Sequence, residues 1–199
     1  MSNLLLDALP TAVEVGGCAY SIHSDFRTMV RFELLLSQSE LSETEQLMQA
    51  LSFFFRDEIP DNIPKAVEAL LWFYRCGKPW PNEPGGSHRN VAPVYSFEHD
   101  AEWIFAAFWK QYQMDLNQIE CLHWWKFKAL FQSLSEDTEF VKIMGYRAME
   151  ITGDMSRQQK EFYRKMKKQY QLPIPQKEQE LLTAIDQALL NGGDLTGLL

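Results

Sequence analysis

Apolar residues recur at helical spacing over most of the chain, and strand-like segments are confined to its beginning. Residues 11–15 and 18–22 are two short β-prone runs on either side of Gly16-Gly17. A two-residue Gly-Gly turn is typical of a β-hairpin, because both turn positions need positive φ. From residue 24 onward, apolar periodicity and capping residues predict eight helices. We therefore predict a mainly α fold, a single helical domain with a small N-terminal β-hairpin at about residues 11–22.

Helix starts are marked by residues with a capping role. The predicted caps are Ser24, Ser42 with Glu45 as capping-box partner, Asn62 ahead of Pro64, Ser135 and Ser156. Two further helices are predicted at about Glu98–Gln113 and Asn117–Ser133. We expect the helices between residues 98 and 150 to build the core, because their large apolar side chains normally pack inward. The residues expected to be largely buried there include Trp125, Leu130 and Phe140.

Two stretches interrupt the helical pattern. Residues 78–93 contain four prolines and two glycines and are predicted to form a loop. Residues 172–175 must run extended, because two residues in that stretch precede proline. A last helix with one apolar stripe is predicted beyond them. We therefore predict a domain over residues 1–172 and a C-terminal extension over residues 173–199 that carries one peripheral helix.

Composition and charge narrow the class of protein. The chain has 199 residues, 46% of them hydrophobic, and a formal net charge of -8, which weakens a nucleic-acid-binding role. The charge is uneven, with ten acidic and three basic residues in 1–62 but six basic and one acidic in 157–168. The longest apolar run, residues 103–109, is far shorter than the roughly 20 residues of a membrane helix. With no signal-peptide pattern at the N-terminus, we expect a cytoplasmic protein without a membrane partner.

Motifs that carry chemistry are not evident in the sequence. No two histidines have the i,i+4 spacing of helical metal ligands, and no phosphate-binding loop or nucleophile elbow occurs. The three cysteines are widely spaced and indicate neither a disulfide framework nor a zinc site. His99 and Asp100 are adjacent, and adjacent helical side chains point apart. We therefore name no catalytic, cofactor-binding or metal-binding residue.

Aromatic and basic residues are the candidates for contact with another macromolecule. A surplus of rings at the surface would indicate a protein partner, although rings at helical spacing more often face the core. The basic segment Arg157–Lys168 could contact nucleic acid, a membrane or an acidic region of a neighbouring copy, or could be a solvated helix face. For Trp103, Trp109 and Trp125 the alternatives are contact with a helical partner or packing in the core. The candidate protein-binding residues are Trp72, Trp80, Trp124, Arg157, Arg164 and Lys168.

Seven segments in a fixed order resemble a known family. They are SDFR at 24–27, RFELL at 31–35, EALLWFYRCG at 68–77, YSFEHD at 95–100, HWWKFKALF at 123–131, FVKIMGYR at 140–147 and FYRKMKK at 162–168. In this order they resemble the bacteriophage "gene product fifteen" family of siphophages and prophages of Gram-positive bacteria. The resemblance runs from about Leu4 to Leu172 and is most specific in the fifth and sixth segments.

The resemblance implies a role in tail morphogenesis. Members of that family are encoded between the major tail protein and the tape-measure protein, a position that usually holds tail assembly chaperones. It implies a non-enzymatic chaperone without a cofactor, acting in the host bacterial cytoplasm with the tape-measure protein and tail-tube subunits. The alternatives are a minor structural tail component, a nucleic-acid-binding helper that uses the basic helix 157–168, and an enzyme whose site the sequence does not reveal.

Overall fold

The N-terminal hairpin forms where the two β-prone runs meet at the Gly-Gly turn. The computed structural model describes residues 3–37, 41–79 and 93–173. In it, strands β1 (Ala12–Val15) and β2 (Cys18–Ser21) pair antiparallel. Gly16 and Gly17 have φ values of +63° and +88°, the region that glycine adopts without steric cost. The inward side chains of β1 are buried, so the hairpin is part of the core and does not stand alone.

Seven helices follow the hairpin in the part of the chain that the structure describes. They are α1 (Phe26–Leu36), α2 (Glu43–Phe54), α3 (Ile63–Tyr74), α4 (Ala101–Tyr112), α5 (Trp124–Gln132), α6 (Glu139–Ala148) and α7 (Arg157–Gln169). The predicted mainly α fold with one N-terminal hairpin is therefore confirmed. Residues 80–92 of the predicted loop and residues 174–199, with the predicted last helix, lie outside the described residues. No described helix is both long enough and apolar enough to span a bilayer.

Local capping chemistry starts three helices where the sequence predicts. The Ser42 hydroxyl accepts a hydrogen bond from the Glu45 N–H, and the Glu45 carboxylate accepts one from the Ser42 N–H. Ser156 and Gln159 form a second such capping box at α7, and Asn62 caps α3. These bonds satisfy N–H groups of the first turn that have no partner within the helix.

The start of α1 differs from the prediction by one residue. Asp25 caps the helix in place of Ser24, because its carboxylate accepts the Arg27 N–H at 3.0 Å. The other carboxylate oxygen accepts the N–H of Leu122 at 2.9 Å. This second bond reaches across about a hundred residues of sequence, so only the folded chain selects Asp25 as the cap.

The prediction that a helix begins near Asn117 is wrong, because α5 begins only at Trp124. The residues immediately before it run alongside the start of α1 as a short antiparallel bridge. The Phe26 N–H donates to the Leu122 carbonyl, and the Trp124 N–H donates to the Ser24 carbonyl, both at 2.8 Å. These bonds hold the backbone extended and delay the helix.

The prediction that Ser135 caps α6 is also wrong, because that helix begins at Glu139 with Thr138 as its cap. The Ser135 carbonyl accepts hydrogen bonds from both the N–H and the hydroxyl of Thr138, at 3.0 and 2.7 Å. Ser135 therefore closes a turn ahead of the helix. The Thr138 hydroxyl oxygen in turn accepts the N–H of Val141.

The core draws on the whole described chain and is not confined to residues 98–150. Trp125 and Phe140 are buried as predicted, whereas Leu130 is only half-buried. Phe127 stacks on Phe26 at 4.6 Å and on the Phe108 ring of α4 at 5.1 Å between centroids. Buried side chains from the first half include Val13, Val15, Met29, Leu51, Phe54 and Phe73.

One buried ion pair ties together the elements of the second half. The side chains of Arg147 and Asp100 are 10% and 1% exposed, and two guanidinium nitrogens donate to the two carboxylate oxygens at 2.6 and 2.8 Å. Arg147 also donates to the carbonyls of Tyr170, at 2.6 Å, and Val94, at 3.1 Å. Asp100 accepts the N–H of Ser96, which closes a turn ahead of α4 and delays the start of that helix.

Candidate protein-interaction surface

His99 and Asp100, which adjoin in the sequence, have different partners in the fold. Asp100 is engaged by Arg147, whereas the His99 ring lies 3.8 Å from the Glu98 carboxylate. The adjacent pair His99-Asp100 therefore does not converge. Among the residues that the structure describes, no three His, Cys, Asp or Glu side chains are grouped so that they could hold a metal ion.

Polar side chains between α1, α3 and α5 form hydrogen bonds to one another. The Tyr74 hydroxyl donates to Glu33 at 2.7 Å, and the Tyr95 hydroxyl donates to the same carboxylate at 3.5 Å. Burial raises the pKa of Glu33, and bonds from the tyrosines and the charge of Lys128 partly offset this. Burial and the adjacent carboxylate raise the pKa of Tyr95 to about 12. The Lys128 ammonium lies 4.6 Å from the Tyr74 ring and 4.9 Å from the Trp124 ring, so the cluster joins elements of the fold.

The tryptophans divide into buried and exposed residues. Trp124 is fully buried and donates through Nε1 to the Tyr74 carbonyl at 2.9 Å. Trp125 is also buried and donates to the Phe73 carbonyl at 2.8 Å. Because both indoles join α5 to α3, they belong to the core. The prediction that Trp124 contacts a protein partner is therefore wrong, since its ring is not accessible. Trp80 lies outside the described residues.

Trp72 is half-exposed at the edge of α3. Its ring meets the Trp125 ring edge to face, with centroids 5.5 Å apart. A Cβ at Gly77 would lie 3.5 Å from the Trp72 ring and 3.1 Å from the Trp125 ring, and Gly77 has a φ of +70°. The turn after α3 therefore favours glycine and packs closely under both indoles. These contacts hold one side of the Trp72 ring and leave the other side available to a partner.

Two exposed tryptophans lie on one face of α4. Trp103 and Trp109 are 39% and 49% exposed, and Ala106 between them is exposed as well. At about 100° per residue, the two rings flank Ala106 at roughly 60° on either side. Phe105 stacks on Trp109 with centroids 6.4 Å apart. We call Trp103, Ala106 and Trp109 the α4 aromatic face, in which a small residue stands between two large rings.

The opposite side of α4 is fixed to the rest of the fold. Phe108 is fully buried, and the Tyr112 hydroxyl donates to the Leu130 carbonyl at 2.8 Å. At the surface, the Lys110 ammonium binds Asp137 at 2.8 Å. The hydrogen bond from Lys110 lowers the pKa of Asp137 to about 2, so this pair is ionised at neutral pH. These contacts set the orientation of α4 and keep the aromatic face toward solvent.

The outer side of α7 is a strip of basic residues. Arg157, Arg164, Lys165 and Lys168 are all exposed and lie within an arc of roughly 100° around the helix. We call these four residues the α7 basic strip. Arg157 pairs with Glu161 at 2.9 Å, whereas the other three have no ion-pair partner among the described residues.

Two other lysines of α7 donate hydrogen bonds to backbone carbonyls of the preceding segment. Lys160 donates to the Gly153 carbonyl at 2.9 Å, and Lys167 donates to the Met149 carbonyl at 2.8 Å. The six basic residues of this segment therefore do not form one continuous charged surface. The sequence contains no signal that separates these two lysines from the others, because the acceptors lie in the segment that joins α6 to α7.

The inner side of α7 rests on α6 through aromatic contacts. Tyr146 meets Phe162 edge to face and stacks on Tyr170, each with centroids 6.0 Å apart. No residue of α7 is fully buried, and Phe162 is 47% exposed. This helix is therefore peripheral and held along one side.

Comparison with known protein families assigns the chain to one of them. The sequence profile described as "Bacteriophage Gp15 protein" matches residues 5–172. The chain belongs to the bacteriophage Gp15 protein family. The resemblance drawn from the seven sequence segments is confirmed. The match takes in the hairpin and all seven described helices of this Gp15 family member, so the α4 aromatic face and the α7 basic strip both lie within the shared region.

A more distant similarity links the chain to the human protein described as "Proto-oncogene DBL". The two are 27% identical over 138 residues, which is 69% of this chain but 13% of that protein. Since the chain spans so small a part of its relative, the similarity carries no argument about function. No solved structure matches the chain significantly.

Proposed function

We propose that this Gp15 family protein is a non-enzymatic tail assembly chaperone, acting in the host cytoplasm on the tape-measure protein and tail-tube subunits. Family membership supports a bacteriophage structural or assembly role. The finer assignment rests on the resemblance to proteins encoded beside the tape-measure gene and on one surface feature. That feature is the α4 aromatic face, where Trp103 and Trp109 are exposed on a helix that is otherwise firmly packed.

The α4 aromatic face suits a helical partner. A tape-measure protein is a long helical chain whose apolar side chains need covering before the tail tube polymerises around it. A partner helix can lay an apolar stripe across Ala106 and against the two exposed rings, in the manner of helix-in-groove recognition. Each half-exposed indole leaves about 100 Å² to cover. Covering both would contribute about 5 kcal/mol, which offsets only the lower end of the entropic cost of association, so further contacts of the same helix must add the net affinity.

The proposal is tested by co-expression with the tape-measure protein encoded beside this gene, followed by affinity capture. We expect the wild-type protein to retain the tape-measure protein and Trp103→Ala/Trp109→Ala to retain at least ten-fold less. Leu36→Ala/Met48→Ala is the matched control, because it removes two exposed apolar side chains elsewhere on the surface. Equal capture by all three proteins would overturn the assignment of the α4 aromatic face.

Trp72 is tested as an additional contact in the same assay. A loss of capture by Trp72→Ala, with an unchanged circular dichroism spectrum, would extend the binding surface to α3. Unchanged capture would restrict the surface to α4.

The composition of purified virions separates a chaperone from a minor structural component. A chaperone is absent from finished particles, whereas a structural component is present at a fixed copy number. A nucleic-acid-binding helper would instead bind DNA with a strong salt dependence, and Arg164→Glu/Lys168→Glu would abolish that binding.

A further inference from the structure

We propose that the α7 basic strip binds an acidic cleft on a second copy of this chain. The cleft lies between strand β2 and the loop that joins α2 to α3 and has a volume of about 270 Å³. Its lining includes Tyr20, Asp57 and Glu58. Self-association through these two surfaces goes beyond the chaperone role and does not depend on it.

The strip supplies cations that are available for binding. Arg164, Lys165 and Lys168 are exposed and make no ion pair among the described residues. Arg157 extends the same strip but is paired with Glu161 in its own helix. Because Lys160 and Lys167 are bound to backbone carbonyls, they hold α7 in place and leave the outer side to contact a partner.

The cleft supplies carboxylates that match these cations. Asp57 and Glu58 line the cleft, are exposed and have no ion-pair partner among the described residues. Asp61, further along the same loop, is exposed as well. Burial and the nearby negative charges, Glu58 and Asp61 among them, raise the pKa of Tyr20, in keeping with an acidic surrounding. A Lys or Arg side chain can lay its aliphatic part along a ring such as Tyr20 while its charged end reaches the carboxylates.

The two surfaces lie on different parts of the fold. The strip belongs to α7, which packs on α6, whereas the cleft adjoins the N-terminal hairpin. The acidic and basic regions of the sequence thus lie on two separate surfaces of opposite sign. The net charge of the whole chain is -8. Each copy of the chain carries both surfaces, so the acidic cleft of a second copy can bind the basic strip of the first. Exposed ion pairs are individually weak and screened by salt, so we expect a reversible, salt-sensitive complex.

Charge reversal in separate copies tests the inference with the full-length protein. Lys165→Glu/Lys168→Glu makes the strip acidic, and Asp57→Lys/Glu58→Lys makes the cleft basic. In analytical ultracentrifugation at low salt, we expect wild type to self-associate and each variant alone to do so at least ten-fold more weakly. A mixture of the two variants should associate again, because each strip then meets a cleft of opposite sign.

The matched control for the strip variant is Lys126→Glu/Lys142→Glu. It changes the net charge by the same amount as Lys165→Glu/Lys168→Glu but on α5 and α6, and it should leave self-association unchanged. A wild-type protein that stays monomeric at about 100 µM in low salt would overturn the inference. So would variants that associate as strongly as wild type, or a mixture that fails to associate. If the strip variant loses DNA binding while self-association persists, the strip is a nucleic-acid surface and the inference is likewise overturned.

Discussion

Replacing Arg147 with methionine is expected to lower the free energy of unfolding by about 3–5 kcal/mol, the usual cost of removing one partner of a buried ion pair. The substitution keeps the length of the aliphatic chain but leaves the Asp100 carboxylate, 1% exposed, without its counter-ion. It also removes the donors to the carbonyls of Val94 and Tyr170. Buried polar atoms without a partner cost roughly 1–3 kcal/mol each, so the upper part of the range applies if water cannot reach them.

Urea denaturation followed by circular dichroism measures this change. For a chain of this size 1 kcal/mol corresponds to about 2–4 °C, so the midpoint of thermal unfolding should fall by about 6–20 °C. Arg157→Met is the matched control, because Arg157 is 92% exposed in its pair with Glu161 and such pairs contribute little. We expect this control to change stability by less than about 0.5 kcal/mol.

A double-mutant cycle identifies the source of the loss. Asp100→Asn keeps an acceptor for the Ser96 N–H but removes the charge that Arg147 neutralises. The double variant should therefore be destabilised by at least about 1 kcal/mol less than the sum of the single variants. Strict additivity, or a loss below about 1 kcal/mol for Arg147→Met, would refute the view that this pair holds α4, α6 and the end of α7 together.

The remaining predictions concern the core, the turn, a buried carboxylate and the C-terminal segment. Trp125→Ala should cost about 3–5 kcal/mol in urea unfolding, because the ring is 5% exposed and leaves a cavity; a loss below about 1 kcal/mol would contradict its core position. Replacing Gly16 and Gly17 with valine should cost at least about 2 kcal/mol, since both φ values are positive, and an unchanged urea midpoint would contradict this. Because burial raises the pKa of Glu33, the free energy of unfolding of the wild type falls as pH rises from 4.5 through that pKa. The free energy of unfolding of Glu33→Gln should therefore rise relative to that of the wild type between pH 4 and pH 8, and a constant difference between the two would contradict this. Deleting residues 173–199, beyond the family match, should shift the melting midpoint by less than about 3 °C; unfolding of the truncated chain would place the segment in the core.

Features that depend on neighbours in the chain could be predicted. The capping boxes at Ser42 and Ser156 need only the residue three positions ahead, and the hairpin needs only its Gly-Gly turn. The late start of α5 could not be predicted, because it depends on hydrogen bonds to residues 24–26. Helical periodicity contains no signal for a strand-like bridge formed with a segment about a hundred residues away.

For the candidate interaction surface, too, some properties follow from the sequence and others only from the fold. The sequence alone determined the helical class, the family and the presence of an acidic and a basic region, because these depend on composition, order and short-range pattern. Only the tertiary structure decided that Trp124 is buried while Trp103 and Trp109 are exposed. It likewise decided that Lys160 and Lys167 bind backbone carbonyls while their neighbours on α7 stay free of such bonds. The physical reason is that the exposure and partners of a side chain depend on which distant segments the fold brings against its helix.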